Sequence, residues 1–600
     1  MDPIKVDFSK KDGGRKKEIV IPPEKAALKI VLSLVGTVLT ALIAFYVMMP
    51  AINFKDYNFY LYVGIVAASY VVFHALLSNV MNKPEYAPYV KKRAIVPGIV
   101  ILILLIVVGA GYAASSVFFR AKAYSRIISV ADASFAEDIE QQDAASFSSI
   151  PKLDEQAAAE LASRALSDVA DLGGVSQFTI YPSYTQINYQ SKPVRVVPLQ
   201  YANIIKWLTN RSAGLPGYII IDMANESSDF VAVENGIKYS PAEHFNRLLM
   251  RHLRFEFPTY MFGDATFEID DNGTPYWVCA RLDKTIGLFG GTDVIGAVLV
   301  DATTGICQYY DIETLVSDPT LQWLDRIYDS DLLVEQYDFY GKYRGGFWNS
   351  ILGQKEVVVT TDGYNYIAKD DDVWMYTGIT SITSDQSITG FVLINQRTKE
   401  AIYYRVSGGT ENSAKSAAEG RVQEYEYKAT FPLLLNVGGE PTYFMSLKDA
   451  NNIVRQYAMI HVENYNKIGA TGTDLKSCLE KYIASLEANK VNVDSLDSMV
   501  DEMEDVVTTP ENDEKDPATD TPATDAISLT GVVADLRSQV IGGETYYYFT
   551  LTAEGAPASY FSVSASDAEE AVLLSKGDTV TVTFAESTDK IIAVKTFEIK

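Results

Sequence analysis

Three long, nearly charge-free stretches near the N-terminus constrain this chain more than any other feature of its sequence. They cover residues 27–49, 57–81 and 94–119 of 600 residues. Each is long enough to cross a bilayer as a helix, which takes about 20 predominantly apolar residues. The first stretch begins too far from the N-terminus, and is too long, to be a cleavable signal peptide. The sequence therefore predicts three transmembrane helices within residues 30–119.

The basic residues around these stretches predict their orientation. Lys and Arg of short flanking segments stay on the cytoplasmic side. The loop between the first and second stretches contains only Lys55, whereas the N-terminal tail and the loop between the second and third stretches are basic. These basic residues are Lys5, Lys10, Lys11, Arg15, Lys16, Lys17, Lys25 and Lys29, followed by Lys83, Lys91, Lys92 and Arg93. We expect a multi-pass protein of the cell membrane with a cytoplasmic basic tail at 1–29 and with the chain after about residue 120 outside the cytoplasm.

The charge of the remaining chain argues against some partners. Residues 120–600 carry 38 Lys and Arg against 70 Asp and Glu, a net charge of −32, while residues 1–119 carry +6. Nucleic acids and anionic lipid surfaces are bound through basic surfaces, so neither is an expected partner of residues 120–600. We expect the membrane lipid bilayer, crossed by the three helices, and envelope proteins as partners. The sequence leaves the oligomeric state open.

Cysteine usage is sparse. The chain has three cysteines, Cys279, Cys307 and Cys478, which is too few for a disulfide framework. Cys279 and Cys307 are expected on neighbouring strands of one repeat, where they either pair or remain free thiols.

One short pattern occurs three times along the chain: a glycine, four apolar residues, Asp or Asn, and a polar turn. The copies are GYIIIDMANE from Gly217, GAVLVDATTG from Gly296 and GFVLINQRTK from Gly390. The second and third copies align without a gap through a pair of tyrosines. Each copy predicts a strand, a tight turn and a returning strand.

The turns of these hairpins have matching residue types. Asp or Asn can start a turn by accepting hydrogen bonds from the backbone that follows it, and Gly accepts a positive φ. A second hairpin is predicted where Asp, Asn and Gly separate two alternating strands. The predicted structural turn residues are Asp301, Gly305, Asn395, Asp271, Asn272 and Gly273.

A hairpin cannot stand alone in water, so several must share sheets that helices such as 242–253 and 321–337 cover. We expect an α+β multidomain ectodomain of tandem repeats, each a helix plus an antiparallel sheet, on three transmembrane helices, with a small C-terminal β-barrel. The expected boundaries are a stalk at 120–150, α+β repeats at 151–235, 236–330 and 331–410, a closing α/β segment at 411–500, an acidic Pro/Thr linker at 501–526 and the barrel at 527–600.

The second repeat resembles the PepSY family. A helix followed by paired strands and the turn in VLVDATTGICQYY, within residues 240–312, carries this resemblance. The first repeat has IDMANESSD and the third INQRTKEA at the same place. The resemblance implies a small extracytoplasmic α+β module, often associated with regulation of envelope enzymes, and it supplies no catalytic residue.

The C-terminal strands of residues 527–600 resemble a small OB-type barrel. Many such barrels bind single-stranded nucleic acid through a basic groove. These residues carry 5 Lys and Arg against 10 Asp and Glu, so contact with protein is the better expectation.

Signals for chemistry are few. His244 and His252 are expected to share a helix, but their spacing is not that of a zinc helix, and we expect no metal and no cofactor. His74, inside the second stretch, is expected to bond a neighbouring helix rather than mark a pathway. The acidic sets Asp370, Asp371, Asp372 and Asp270, Asp271 are interpreted as solvated hairpin tips rather than as calcium ligands. Neither a nucleophile elbow nor a phosphate-binding glycine loop is present, so no catalytic residue is assigned.

The best candidate for recognition is the segment YDFYGKYRGGFWNS. It combines rigid aromatic residues with cations beside two glycines, a composition favoured at binding hot spots. The alternative is a connector packed under a sheet. The candidate binding residues are Tyr340, Lys342, Tyr343, Arg344 and Trp348.

Taken together, these features favour a membrane-anchored protein of the bacterial cell envelope that acts by binding, as a scaffold, a sensor or a regulator of envelope enzymes, and that is not itself an enzyme. One alternative is an extracytoplasmic hydrolase that acts on cell-wall polymer through a pair of carboxylates. Another is an accessory subunit of a membrane transporter.

Overall fold

The computed structural model describes residues 20–168, 176–369, 371–382, 387–491, 493, 496, 499–500, 527–541, 544–553, 560–564, 568, 571, 574–584, 591–594 and 596–600. The basic residues predicted in the tail between 5 and 17, the linker at 501–526 and Asp370 lie outside these ranges. The chain forms two compact units, Met1–Pro510 and Glu511–Lys600.

The first unit begins with three helices that are long and apolar enough to cross a membrane. These are α1 (Ala26–Met48), α2 (Tyr57–Leu77) and α3 (Ala87–Ser115), the last preceded by a 3-10 turn at Pro84–Tyr86. His74 of α2 is buried, and its Nδ1 lies 3.2 Å from Ser33 Oγ of α1. His74 therefore contacts a neighbouring helix, as expected.

A connecting segment follows α3. It contains α4 (Val117–Tyr124), β1 (Val130–Ala133), α5 (Phe135–Asp138) and α6 (Ala144–Ser148). β1 pairs in parallel with a strand at Ala401–Tyr404, and Phe135 and Phe147 are buried in a core built mainly from later residues. Residues 120–150 are thus part of the folded unit rather than a free-standing stalk, because their apolar side chains have a core to enter.

Four helix-plus-sheet modules follow, one more than the three repeats recognised in the sequence. Module 1 contains α7 (Glu155–Asp168), β2 (Phe178–Ile180), β3 (Thr185–Tyr189), β4 (Lys192–Tyr201), α8 (Ile204–Asn210), β5 (Leu215–Asp222) and β6 (Ser227–Ile237). Module 2 contains α9 (Leu249–Glu256), β7 (Met261–Ile269), β8 (Pro275–Ile286), β9 (Gly290–Asp301) and β10 (Cys307–Asp311), followed by α10 (Ile312–Ser317).

The other two modules also combine a helix with an antiparallel sheet. Module 3 contains α11 (Ser330–Tyr343), β11 (Val358–Thr360), β12 (Asn365–Lys369), β13 (Asp372–Ser381), β14 (Ser387–Ile388), β15 (Gly390–Asn395) and β16 (Ala401–Tyr404). Module 4 contains β17 (Gly408–Gly409), α12 (Glu411–Arg421), β18 (Lys428–Ala429), β19 (Leu433–Val437), β20 (Glu440–Lys448), β21 (Val454–His461), β22 (Gly469–Gly472) and α13 (Leu475–Ala488). In every module the main strands form an antiparallel meander.

Each meander ends its third strand with a side chain that caps the following turn. The capping residues are Asp222, Asp301, Asn395 and His461. Each accepts hydrogen bonds from the backbone N–H groups two and three residues further on, at 2.8–3.2 Å. In module 4 the imidazole Nδ1 of His461 takes the place of the carboxylate or amide oxygen, so the four turns share one design.

The residue after each cap accepts a backbone hydrogen bond from the chain segment that leads into a module. The carbonyl groups of Met223, Ala302, Gln396 and Val462 accept backbone hydrogen bonds at 2.8–3.0 Å. The donors are Lys152 for Met223, Lys238 and Tyr239 for Ala302, Tyr328 for Gln396 and Gly409 for Val462. The caps therefore sit at the junctions where the chain starts each module.

The sheets of modules 2 and 3 are buried on both faces. Trp277 and Val278 of β8 enter two different cores, and so do Trp374 and Met375 of β13. A sheet buried on both faces needs continuous apolar strands rather than alternating ones. This explains the runs of four apolar residues in GAVLVD and GFVLIN.

Module 2 lies against the ends of the apolar helices. Arg254 is buried; its Nε donates to the Met49 carbonyl oxygen at 2.9 Å, and its Nη1 donates to the Tyr260 carbonyl oxygen at 2.6 Å. Ser115 Oγ accepts from the backbone N–H groups of Leu288 and Phe289 at 2.9 and 3.0 Å. The loop between α1 and α2 and the C-terminal end of α3 thus contact the same module.

Cys279 and Cys307 are free thiols. Cys279 is on β8 and Cys307 is on β10, and β9 lies between these strands. Two strands apart means about 10 Å between the backbones, which exceeds the roughly 7 Å limit for a disulfide. The prediction that they lie on neighbouring strands was wrong, because β10 pairs with β9 and not with β8.

The second unit contains one six-stranded sheet. Its strands are β23 (Ile527–Ile541), β24 (Glu544–Thr552), β25 (Tyr560–Ser564), β26 (Thr579–Phe584), β27 (Ile591–Ala593) and β28 (Thr596–Ile599). Their order across the sheet is β27-β25-β24-β23-β26-β28, and the described residues show no pairing of β27 with β28. The two outermost strands nevertheless follow each other directly in the chain.

Candidate functional site: a cavity between modules 1, 3 and 4

A cavity of about 230 Å³ lies where three of the modules meet. Module 1 and the segment before it provide Lys152 and Arg195, module 3 provides Tyr366, and module 4 provides Phe444. Arg326, from the segment between modules 2 and 3, completes its basic lining. The cavity is slightly smaller than the roughly 300–1,000 Å³ typical of drug-sized ligands, so its size suits a small molecule.

Arg195 is the most unusual residue of this lining. It lies in the middle of β4 and is only 7% exposed. Among the described residues its one side-chain hydrogen bond is long, 3.5 Å from Nη2 to Gln186 Oε1, and its Nε has no partner there. Burial, the largest effect, lowers the pKa of Arg195, although nearby Tyr366 and Glu155 act to raise it. A buried cation without a bonded carboxylate is costly, and an anion in the cavity would relieve that cost.

Arg326 is the second guanidinium of the cavity. Its Nη2 donates to Tyr366 Oη at 3.0 Å, and its guanidinium carbon lies 4.4 Å from the centre of the Tyr366 ring. Its buried Nε is also without a partner. Burial acts to lower the pKa of Arg326, but Tyr366 and Glu268 outweigh burial and raise it. This guanidinium therefore remains charged beside the cavity.

The cations of the lining are only partly neutralised by acids. Asp154 is ion-paired with Lys448, so its charge is already compensated. Lys152 is half-buried, and burial lowers its pKa while the carboxylates of Glu226 and Asp222 act to raise it. Glu155 is an exposed acid at the rim. The lining thus offers cationic donors and aromatic faces, which fit a small anion that has an apolar part.

A second cavity, of about 360 Å³, adjoins the first and shares Pro151 and Leu433 with it. The charged residues of its lining are mainly acidic, with Asp138, Glu140 and Asp371 against Lys369.

Two carboxylates are buried near this junction but outside the lining of the first cavity. Glu268 is fully buried and accepts from the backbone N–H groups of Asp325 and Arg326 at 2.9 and 3.1 Å. Burial raises the pKa of Glu268 to about 7. Burial and the charge of Glu268 also raise the pKa of Asp325, which accepts from Asn188 N–H at 2.6 Å. These carboxylates join modules 1 and 2 to the segment that leads into module 3.

The predicted binding residues lie elsewhere, at the C-terminal end of α11. Lys342 forms an ion pair with Asp338 at 2.6 Å. Arg344 donates to the Glu356 carbonyl oxygen at 2.8 Å, and its guanidinium carbon lies 5.7 Å from the centre of the Tyr340 ring. Tyr343 is half-buried and stacks on Phe339. Trp348 is 63% exposed.

The histidines of module 2 do not share a helix. His244 precedes a 3-10 turn at Phe245–Arg247, whereas His252 is on α9 and contacts the Gly305 carbonyl oxygen at 2.7 Å. The chain breaks from helical geometry between them, because Phe245 takes a positive φ of 52°. Within the described residues no group of His, Cys, Asp and Glu is arranged to hold a metal ion.

Of the acidic residues predicted at solvated hairpin tips, Asp271 and Asp371 are exposed. Asp270 accepts from the N–H groups of Asn272 and Thr274 in the β7–β8 turn. Asp372 is 5% exposed and bonds Arg397 and Asn395. The prediction of a solvated tip was wrong for Asp372, because the turn after β15 folds back over it.

Comparisons with known protein families, with curated proteins and with solved structures find no match to this chain. The cavity therefore has to be interpreted from its own geometry. Sequence reasoning missed it, although one signal was present: PVRVVPL places an arginine inside an apolar strand, where a charge is rare unless it is paired or functional.

Proposed function

We propose that this is a membrane-anchored protein of the cell envelope whose extracytoplasmic modules bind a small anionic ligand in the cavity lined by Arg195 and Arg326. The ligand class is a carboxylate or phosphate that carries an apolar group. Binding would make the protein a sensor or scaffold that regulates envelope enzymes. The observation that carries this proposal is the buried Arg195 guanidinium, which lines the cavity and forms no hydrogen bond to a carboxylate of the described residues.

The position of the cavity supports a sensing role. Its lining comes from modules 1, 3 and 4 together, so an anion bound there would tie these modules to each other. Ligands that bind residues from several modules stabilise the arrangement in which those residues are close. The three apolar helices, with module 2 against their ends, would hold this assembly at the membrane surface. The PepSY resemblance of module 2 agrees with a regulatory role.

The test is ligand-dependent stability of the full chain in detergent or nanodiscs, with phosphate and a dipeptide bearing a free C-terminal carboxylate as probes. A ligand at about 100-fold its Kd stabilises the folded state by about 2.7 kcal/mol. We expect at least one probe to raise the Tm of the wild type. Arg195→Met should abolish that rise without lowering the Tm of the ligand-free protein, because it removes a buried, unpaired charge.

Arg455→Met is the matched control, since Arg455 is an exposed arginine paired with Asp449. It should retain the probe-dependent rise in Tm. The proposal fails if neither probe shifts the wild type, or if Arg195→Met responds like the wild type.

The hydrolase alternative needs two carboxylates that face a substrate. Glu268 and Asp325 are the strongest buried pair, but neither lines the cavity, and both accept backbone hydrogen bonds. The binding proposal is therefore favoured. Measuring wall-polymer degradation by the wild type and by Glu268→Gln separates the hydrolase alternative from the binding proposal.

For the second unit we propose a small barrel of OB type. β27 pairs in parallel with β25, and β28 pairs with β26. Because β27 and β28 are consecutive, one bent strand would join both edges of the sheet. A protein partner suits this barrel better than nucleic acid, given its acidic composition.

A further inference from the structure

The exposed apolar side chains of the modules are concentrated in two places. In the described part of the chain, thirteen large apolar side chains beyond residue 124 are exposed, and eight of them fall in two patches. Patch A consists of Ile204, Ile205, Leu208, Phe245 and Phe255. Patch B consists of Trp348, Ile351 and Leu352 together with Phe118 and Phe119 of α4. Exposed apolar patches of this kind mark interaction surfaces.

Patch A adjoins the last turn of α1. Phe255 packs against Phe45 with 5.6 Å between ring centres. Asn246, next to Phe245, accepts a 3.3 Å hydrogen bond from Tyr46 Oη. Since α1 ends at Met48, patch A lies level with the end of that helix.

Patch B adjoins the C-terminal end of α3. Phe118 is three residues beyond Ser115, and its ring centre lies 5.0 Å from that of Phe347 and 5.9 Å from that of Trp348. The residues after Trp348 form a short π-helix at Asn349–Gly353, in which Leu352 is 76% exposed. Patch B is therefore continuous with the apolar surface of α3.

We infer that patches A and B are inserted in the lipid bilayer, at the boundary between headgroups and acyl chains, on either side of the three-helix bundle. This inference rests on the proposal that α1, α2 and α3 cross a bilayer. Lipid is favoured as the occupant because both patches adjoin the ends of these helices, where a bilayer surrounding them would begin. Trp and Phe are residues favoured in that boundary region.

The charges around the patches fit the same location. Beside patch A lie Glu256 and three cations, Lys206, Arg211 and Arg251, and beside patch B lie Arg120 and Arg344. Cations flanking apolar insertions interact favourably with lipid phosphates. These local cations occur in a part of the chain whose net charge is strongly negative, so the composition of the whole chain concealed them. The patches would hold the modules at a fixed tilt on the membrane.

The test uses tryptophan fluorescence of the full chain in nanodiscs that contain brominated phospholipids. Bromine quenches a tryptophan that lies in the acyl region. Trp348→Phe removes the reporter while keeping an aromatic ring. Trp323→Phe is the control. Trp323 packs on Tyr276 near the start of β8, whereas Ile286 lies at the end of β8 that is close to α3. The ten residues between Tyr276 and Ile286 span about 34 Å of extended strand, so Trp323 is far from the ends of the apolar helices.

We expect Trp348→Phe to reduce the bromolipid-dependent loss of fluorescence, with the remainder coming from Trp207, which packs on Phe245 of patch A, and Trp323→Phe to leave the loss unchanged. Bromine near the headgroup end of the acyl chain should quench more than bromine near the bilayer centre. For patch A, Ile205→Trp in the Trp348→Phe background should restore the quenching.

Equal residual quenching in Trp348→Phe and Trp323→Phe would overturn the inference for patch B, and no restored quenching in the Ile205→Trp variant would overturn it for patch A. A Trp348 that is shielded from aqueous iodide and untouched by bromolipid would show that a protein covers the patch, which also overturns it. Failure here leaves the anion-dependent change in Tm intact, so the two proposals fail separately.

Discussion

At the scale of residues, the buried charges decide most of what is unusual about this protein. Arg195 and Glu268 are both removed from water near the junction of modules 1, 2 and 3. Arg195 faces a cavity and lacks a bonded carboxylate, whereas Glu268 is held by two backbone N–H groups. The first arrangement suits a ligand, and the second suits a fixed structural joint.

Glu268 gives a prediction about pH. Its pKa is about 7 in the folded protein, against an ordinary value of 4.5, so the folded state binds the extra proton between these values. Stability should therefore be greatest at low pH within this window and fall as pH rises from about 5 to 8, by up to about 3 kcal/mol. Glu268→Gln, which stays neutral, should show a smaller fall when urea unfolding is measured at both pH values.

Glu335→Gln is the control for this measurement, since Glu335 is exposed on α11. It should reproduce the pH dependence of the wild type. An unchanged pH dependence in Glu268→Gln would show that this carboxylate is already ionised in the folded protein.

At the scale of elements, a single cap design recurs in all the modules, and its fourth copy uses an imidazole. His461 accepts two backbone bonds through Nδ1, and its Nε2–H donates to Glu440 at 3.0 Å. In module 3, Asn395 bonds Asp372 from the same place at 2.8 Å. The hydrogen bond from His461 to Glu440 is the largest cause of the lowered pKa of Glu440.

Substitution at His461 tests this equivalence. His461→Asn should retain most of the stability, because an amide can accept from the turn and donate to Glu440 as Asn395 does to Asp372. His461→Ala should cost roughly 1–3 kcal/mol, since it leaves buried polar groups without partners. Denaturant unfolding of both variants measures the difference, and equal losses would contradict a shared cap.

The turns also show how far sequence reasoning could reach. The turns at Asp301 and Asn395 are recognisable because a capping oxygen is followed four residues later by a residue of positive φ, Gly305 at 77° and Lys399 at 66°. The fourth turn was not recognised in the sequence, because the imidazole of His461 replaces the capping side-chain oxygen and a longer loop follows it. Lys399 keeps its strained conformation while its Nζ bonds Asp293 at 2.7 Å, a contact that no local pattern encodes.

At the scale of the whole molecule, the apolar helices and the helix-plus-sheet repeats could be predicted, since composition and periodicity report them directly. The cavity could not be predicted, because it is formed by residues from Lys152 to Ser446 that meet only after the modules pack. Packing also decides the environment of the predicted recognition segment around Trp348. Its charged residues bond within the fold, whereas its tryptophan stays exposed beside α3.

We propose that the modules lie on the opposite side of the membrane from the basic N-terminal tail. The most direct measurement is labelling of intact cells with a membrane-impermeant maleimide, using Glu424→Cys in module 4 and Asn82→Cys in the loop between α2 and α3. Both positions are exposed. We expect Glu424→Cys to be labelled in intact cells and Asn82→Cys only after lysis. Labelling of Asn82→Cys alone in intact cells would place the modules in the cytoplasm.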